Sequence, residues 1–342
     1  MSGADTSSSD WSQTRERSNA LALRIISWVA VHGGRRAARV LLWPITAYFL
    51  LFAASARRHS ARYLARALGR APTWRDQWRH FHTFASTVLD RVYFLREASD
   101  CFDLTITGTP ELKRALEAGH GAFLVGGHLG SFEALAAAGR SQGCSNIAMV
   151  MYPDNARMIN AALQAIAPQF EMRIIPLGQR GTTLAIRDWL DEGGLVGLLA
   201  DRTLPGAGQR DTVHRLPFLG RSAPFADGPF RLAQVLRRPV FFMAGLYNGG
   251  RAYDVRFELL ADFSVPAVDA ADRHAQVQTA VEAYAARLEA LCAEAPYNWF
   301  NFHDFWLEDG HAVGGRDAGV GAGGAGDRAG RSDGAIGSHH VG

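Results

Sequence analysis

The chain has 342 residues, enough for a sizeable core and about two average domains, although one α/β domain can absorb most of that length. Apolar residues at 48% against 20% charged exclude disorder over most of the chain, and the lack of any apolar run beyond about 20 residues excludes a polytopic membrane protein. The net charge of +3 hides an asymmetry: residues 1–100 hold 15 Arg and 7 acids, or +8, which leaves 101–342 at −5. The basic excess coincides with the most apolar segment, which argues against nucleic-acid binding. Cys101, Cys144 and Cys292 are far apart with no C-x-x-C, so neither a disulfide framework nor a zinc knuckle is written here, and a reducing compartment fits.

Residues 1–20 are polar and Ser-rich and are expected to be disordered. Residues 21–31 are apolar except for Arg24, and Arg35, Arg36 and Arg39 follow. The longest apolar run, 40–56, closes on Arg57, Arg58, Arg62 and Arg66. As a helix it reaches roughly 25 Å, short of the ~30 Å hydrocarbon core. Three readings compete: an uncleaved membrane anchor or interfacial helix pair, a buried core helix, and a secretory signal ending at Ala54-Ser55-Ala56. The signal would need an n-region of 39 residues, far longer than usual. Arginine clusters on both sides, with Trp28, Trp43 and Tyr48, suit the headgroup region of an anionic leaflet, so 21–100 is expected to be a helical, membrane-anchoring region. Within it 60–99 shows helical periodicity. His80 and His82, two apart, would point about 200° away from each other on a helix, which favours packing or surface roles over a shared metal.

From residue 101 the texture changes. Apolar runs at 102–107, 122–125, 146–152, 173–176, 195–200, 240–247 and 253–260 predict strands. Helical patterns fall at 110–118, 131–142, 154–166, 181–192, 224–237 and 272–294. This alternation predicts an α/β fold, a mostly parallel central sheet flanked by helices over 101–308. Ligands of such sheets sit beyond the strand carboxyl ends. The stretch 309–342 is Gly-rich and cannot bury a core, so a disordered tail is expected, and its formal G-x-G-x-x-G is compositional.

No G-x-S-x-G, Walker A, D-x-D or H-E-x-x-H motif occurs. What remains is Gly126-Gly127-His128-Leu129-Gly130-Ser131-Phe132-Glu133, directly after an apolar run. The H-x4-E spacing alone is weak, since about one chance match is expected in this composition. His303 to Glu308 is a second match, but it sits among Trp299, Phe300, Phe302, Phe305 and Trp306 and reads as packing. His128 falls at a strand end between glycines, before a helix that Ser131 could cap. It is then either a loop histidine beside a first-turn acid, or a base oriented by the Glu133 carboxylate that deprotonates an attacking alcohol.

The segment GGHLGSFEAL resembles the H-x4-[DE] block of the lysophospholipid acyltransferase superfamily, in particular the late acyltransferase family of lipid A biosynthesis (lauroyl/myristoyl acyltransferase-like). Further blocks follow in matching order: Tyr152-Pro-Asp-Asn-Ala-Arg157, Gly194-Leu-Val-Gly-Leu-Leu-Ala-Asp201-Arg202, and Phe218-Leu-Gly-Arg-Ser-Ala-Pro-Phe225 leading into Gly228-Pro229. The resemblance spans roughly 20–308. Tyr152-Pro153 stands where the compared lipid A members carry Arg-Pro, and the segment from Tyr297 to Trp306 is more similar to a branch associated with aryl polyene pigment biosynthesis.

The resemblance implies an acyltransferase at the cytoplasmic face of a bacterial inner membrane. It would move a fatty acyl group from acyl-carrier protein or acyl-CoA to a hydroxyl of a lipid or glycolipid acceptor, without a metal or other cofactor. His128 would be the general base and Glu133 its orienting carboxylate. Backbone amides of Gly130, Ser131 and Phe132 would meet the oxyanion, and Arg157, Asp201 and Arg202 would contact substrate. The alternatives are a non-catalytic lipid-binding or carrier protein on the same fold and a lipid acyl hydrolase.

Overall fold

The computed structural model describes residues 32–96, 99–117, 119, 121–143, 146–153, 173–202 and 212–306. The expected polar N-terminus, the helix at 154–166, Arg157 and the Gly-rich tail lie outside them.

Helix α1 (Gly34–Phe52) turns Ala38, Leu42, Thr46 and Leu50 inward, four residues apart on one stripe. Ala38 and Leu42 pack with Leu89 and Val92 of α3 (Trp74–Leu95). The start of α3 is fixed by a capping box in which Thr73 and Asp76 satisfy each other's backbone amides. Between them α2 (Ala54–Ala67) leaves α1 at 93° after the break at Ala53. Arg35 of α1 makes two hydrogen bonds, 2.8 and 2.7 Å, to the fully buried Asp90 of α3, which also accepts from the Tyr253 hydroxyl at 2.9 Å. Helix α1 is therefore bolted to the body. No single helix among the described residues is long and apolar enough to cross a membrane, and α1 with α2 passes that test only as a bent pair. The outer face of α1 leaves Trp43 61%, Leu51 57% and Phe52 72% exposed.

The body contains β1 (Asp103–Thr107), α4 (Thr109–Glu117), β2 (Ala122–Gly126), α5 (Phe132–Ser141), β3 (Ile147–Met151), β4 (Arg173–Pro176), α6 (Thr182–Asp191), β5 (Leu195–Leu199), β6 (Val213–Phe218), β7 (Arg221–Ala226), α7 (Gly228–Val235), β8 (Pro239–Tyr247), β9 (Ala252–Asp262) and α8 (Ala270–Glu294). Seven strands form one sheet in the order β1-β9-β8-β2-β5-β3-β4. β8, β2, β5, β3 and β4 run parallel, whereas β9 is antiparallel to β8 and carries β1 parallel to itself. The mostly parallel sheet is thus present, with a reversed edge. The reversal comes from the turn Asn248–Arg251, where Gly249 (φ 93°) and Gly250 (φ 60°) fold the chain straight back after β8.

Every residue of β2 and β8 is buried, as central parallel strands covered on both faces require. Alternation along β2 divides the core. Phe123 and Val125 join Ile186 of α6, Phe230 of α7 and Leu288 of α8, while Ala122 and Leu124 join Phe94 of α3, Leu112 of α4 and Leu135 of α5.

A helix was expected from 224, but β7 occupies 221–226 and pairs with β6 in a separate hairpin. Packing overrides the local pattern there: Phe225 packs with Phe218, Tyr284 and Phe305 at ring separations of 5.5, 6.2 and 5.7 Å. The helix begins only at Gly228, with Pro229 in its first turn.

Candidate active site

β2 and β5 are neighbouring parallel strands with Gly126 opposite Leu199. Two residues beyond those partners come His128 and Asp201, so the two side chains emerge together at the carboxyl edge of the sheet. The Nδ1 atom of His128 is 2.8 Å from Oδ1 of Asp201. Oδ2 accepts the His128 backbone N–H at 2.7 Å and the indole N–H of Trp299 at 2.9 Å. Burial pushes the Asp201 carboxyl up, but the charge of His128 and these hydrogen bonds outweigh it and hold it at about 2. A carboxylate only accepts, so Nδ1 of His128 carries the proton and the Nε2 lone pair is the basic one.

The loop between β2 and α5 is clamped from two sides. Gly130 N–H donates to the Asn298 carbonyl at 2.9 Å, Ser131 N–H to the Gly245 carbonyl at 2.8 Å, and Phe300 N–H to the His128 carbonyl at 2.8 Å. The Asn298 side chain ties this segment to the end of β8, accepting from Tyr247 N–H at 2.7 Å and donating to its carbonyl at 3.1 Å. Gly130 has φ 73°, and a Cβ there would meet the Gly245 carbonyl oxygen at 1.9 Å, so only glycine permits this approach. Ser131 caps α5 as expected, accepting from Ala134 N–H at 3.2 Å.

These contacts correct several expectations. The Gly130 and Ser131 amides, expected to face an oxyanion, are engaged by carbonyls, whereas the Phe132 amide, at the start of α5, has no partner among the described residues. Glu133 does not touch His128. Its Oε1 is 2.6 Å from Arg91 Nε, a close ion pair whose N–H direction falls outside hydrogen-bond alignment, and its Oε2 accepts from Ser131 Oγ at 3.3 Å. In the first turn of α5 its side chain is carried toward α3, while the neighbouring strand end supplies the carboxylate beside the imidazole. Asp201, expected on the substrate side, is 2% exposed and lies behind His128. Arg202 does line the cleft.

That cleft encloses about 540 Å³. Phe84, Val88 and Arg91 of α3 form one wall, and the loop carrying His128 forms another. His303, read from sequence as packing, also lines it. Burial and the charge of Arg202 lower its pKa to about 4, so it is neutral at physiological pH. Trp299 is the other contributor missed; its pull on Asp201 follows from the need of a buried indole N–H for an acceptor. Its carbonyl in turn meets His80 Nε2 at 2.9 Å, and Ser60 Oγ meets His80 Nδ1 at 2.8 Å. Burial lowers His80 to about 4, so this histidine is a neutral strut. Among the described residues no group of three or more His, Cys, Asp or Glu could hold a metal ion.

A mostly parallel α/β sheet carrying an oriented imidazole at its carboxyl edge, beside a cleft lined by apolar and charged side chains together, is suited to proton transfer from a hydroxyl. The family model described as bacterial lipid A biosynthesis acyltransferase matches residues 59–308, and the chain belongs to that family. It is an acyltransferase, which implies an acyl donor and a lipid acceptor in general terms. No curated protein matches it.

Proposed function

We propose that the protein transfers a fatty acyl group from a thioester, carried on acyl-carrier protein or coenzyme A, to a hydroxyl of a lipid or glycolipid acceptor. The observation that carries this reading is the His128–Asp201 pair at the mouth of the cleft. His128 Nε2 takes the proton of the acceptor hydroxyl as its oxygen attacks the thioester carbonyl. The tetrahedral intermediate collapses to an ester, and the imidazolium returns the proton to the departing thiolate. Asp201, ionised and buried, fixes the tautomer and stabilises the imidazolium. Glu133 remains part of the site through Arg91 rather than through the imidazole. The Phe132 amide is the backbone donor left for the oxyanion.

The apolar face of α1 supports attachment to a membrane surface, with Trp43, Leu51 and Phe52 entering the headgroup boundary and the arginines of α2 near anionic lipid. We place the protein on the cytoplasmic face of a bacterial inner membrane, where acyl thioesters are at hand. Tyr152-Pro153 in place of Arg-Pro supports an acceptor other than lipid A, as in the aryl polyene-associated branch.

Mass spectrometry of total lipids tests this. A strain lacking the gene should lose one acylated lipid, regained with the wild-type protein and not with His128→Ala. Unchanged lipids in the deletion strain, or full restoration by His128→Ala, would contradict it.

A further inference from the structure

Glu133, the acid of the H-x4-E motif, faces Arg91 and not His128. Arg91 comes from α3, where it follows Phe84 and Val88 at helical spacing along the cleft wall. The Glu133 carboxylate sits at its Nε edge, and among the described residues neither terminal nitrogen of the guanidinium has a protein partner. With side-chain exposure of 36%, Arg91 is a half-buried cation held at one edge and open at the other, on the cavity that also holds His128. Arg202 also lines this cavity. Two of the three amides at the start of α5 are consumed by Asn298 and Gly245.

We infer that Arg91 is a catalytic residue, the cationic donor to the reacting thioester carbonyl oxygen, and that Glu133 is its positioning residue. This rests on the reading of His128 as the base. When the acceptor oxygen bonds to the carbonyl carbon, its proton goes to His128 Nε2 and the carbonyl π pair moves onto oxygen. That oxyanion is met by the open guanidinium edge together with the Phe132 amide. The C–S bond then breaks as the carbonyl re-forms, and the thiolate takes the proton from the imidazolium. A fixed, partly desolvated cation needs little reorganisation when the charge develops, which is where electrostatic stabilisation is most effective. Glu133 limits the rotamers of a long side chain and keeps its fork turned to the cleft.

The test compares Arg91→Ala, Arg91→Lys, Glu133→Gln and the double variant Arg91→Ala/Glu133→Gln. All are checked for wild-type unfolding temperature and assayed with radiolabelled fatty acyl thioesters of acyl carrier protein and of coenzyme A, C10 to C18, using membranes of the deletion strain as acceptor. Arg91→Ala should lower kcat by about 10²–10³ and leave KM within about twofold. Guanidinium ion below its denaturing range should restore part of that loss, and Arg91→Lys should retain more activity than the alanine variant. Glu133→Gln should lose about tenfold and add nothing to the Arg91→Ala background, because it acts through the arginine. Full kcat in a folded Arg91→Ala protein, a loss confined to KM, or independent losses from the two residues would overturn the inference. His128→Ala separates the two levels. If it is inactive while Arg91→Ala is not, only the Arg91 inference fails; if it is fully active, the reading beneath it fails.

Discussion

His128 and Asp201 lie 73 residues apart in the chain and 2.8 Å apart at Nδ1 and Oδ1. The register of β2 on β5 is the cause, because each residue follows its strand's last paired position by two. The carboxylate also accepts the His128 amide and the Trp299 indole, so the imidazole is fixed by backbone and side chain at once. Asp201→Asn keeps the volume but presents an N–H where only acceptors are wanted, which favours the wrong histidine tautomer. Transfer should fall by about 10²–10⁴. Single-turnover rates on folded protein, well below its unfolding temperature, check this; a loss under tenfold would show that Asp201 does not set the tautomer.

Gly130 and Gly245 allow the catalytic loop to lie against β8. A methyl at 130 would meet the Gly245 carbonyl oxygen at 1.9 Å, and one at 245 would meet the Ser131 carbonyl oxygen at 2.4 Å. Backbone must move in either case, so Gly130→Ala and Gly245→Ala should each destabilise by about 3 kcal/mol or more and lower activity with it. Urea unfolding midpoints provide the measure. An unchanged midpoint for either variant would mean that the loop yields more easily than its contacts imply.

His80 and His303 are both held at about 4 by burial, against 6.5 for an ordinary histidine, with Arg202 adding to the effect at His303. Between those values the unfolded chain binds more protons than the folded one, so stability rises with pH and is lost as pH falls from 6.5 toward 4. For the fully buried His80 the loss approaches about 3 kcal/mol. Asp201, held at about 2, contributes a separate loss only at more acid pH. Denaturant titrations from pH 7 to 4.5 should show the decline, and His80→Asn should flatten it. An equally steep decline in that variant would exclude His80 as its source.

The outer face of α1 should carry membrane binding. Replacing Trp43, Leu51 and Phe52 with serine removes apolar side chains that are mostly exposed, so the fold should be preserved. Sedimentation with anionic phospholipid vesicles should show wild type bound and the triple variant largely free. Equal partitioning of the two proteins would contradict the proposal that this face binds a membrane.

Much of this was legible in the chain. All seven strands of the main sheet coincide with the expected runs: β2 and β8, buried at every position, are continuous apolar stretches, whereas β1 and β9 alternate between more and less buried residues. Its reversed edge was not read from the sequence; it shows in the structure, where Gly249 and Gly250 make a turn too tight for a parallel crossover. The β6–β7 hairpin was not legible, since Phe218 and Phe225 take their places from partners distant in sequence. His128 could be found from glycines at a strand end, but its carboxylate could not. Spacing puts Glu133 nearest in sequence, whereas strand register puts Asp201 nearest in space, and register becomes visible only once the sheet is assembled. Arg91 and Trp299 share that limit, since helix packing and the return of 298–300 across the loop bring them to the site.

The most direct measurement of the His128 assignment is acyl transfer by His128→Ala protein with the unfolding temperature of wild type. With the base gone, and Asp201 left without its imidazole, the rate of ester formation should fall by at least about 10². Wild-type transfer by that variant would contradict the assignment of His128 as the base.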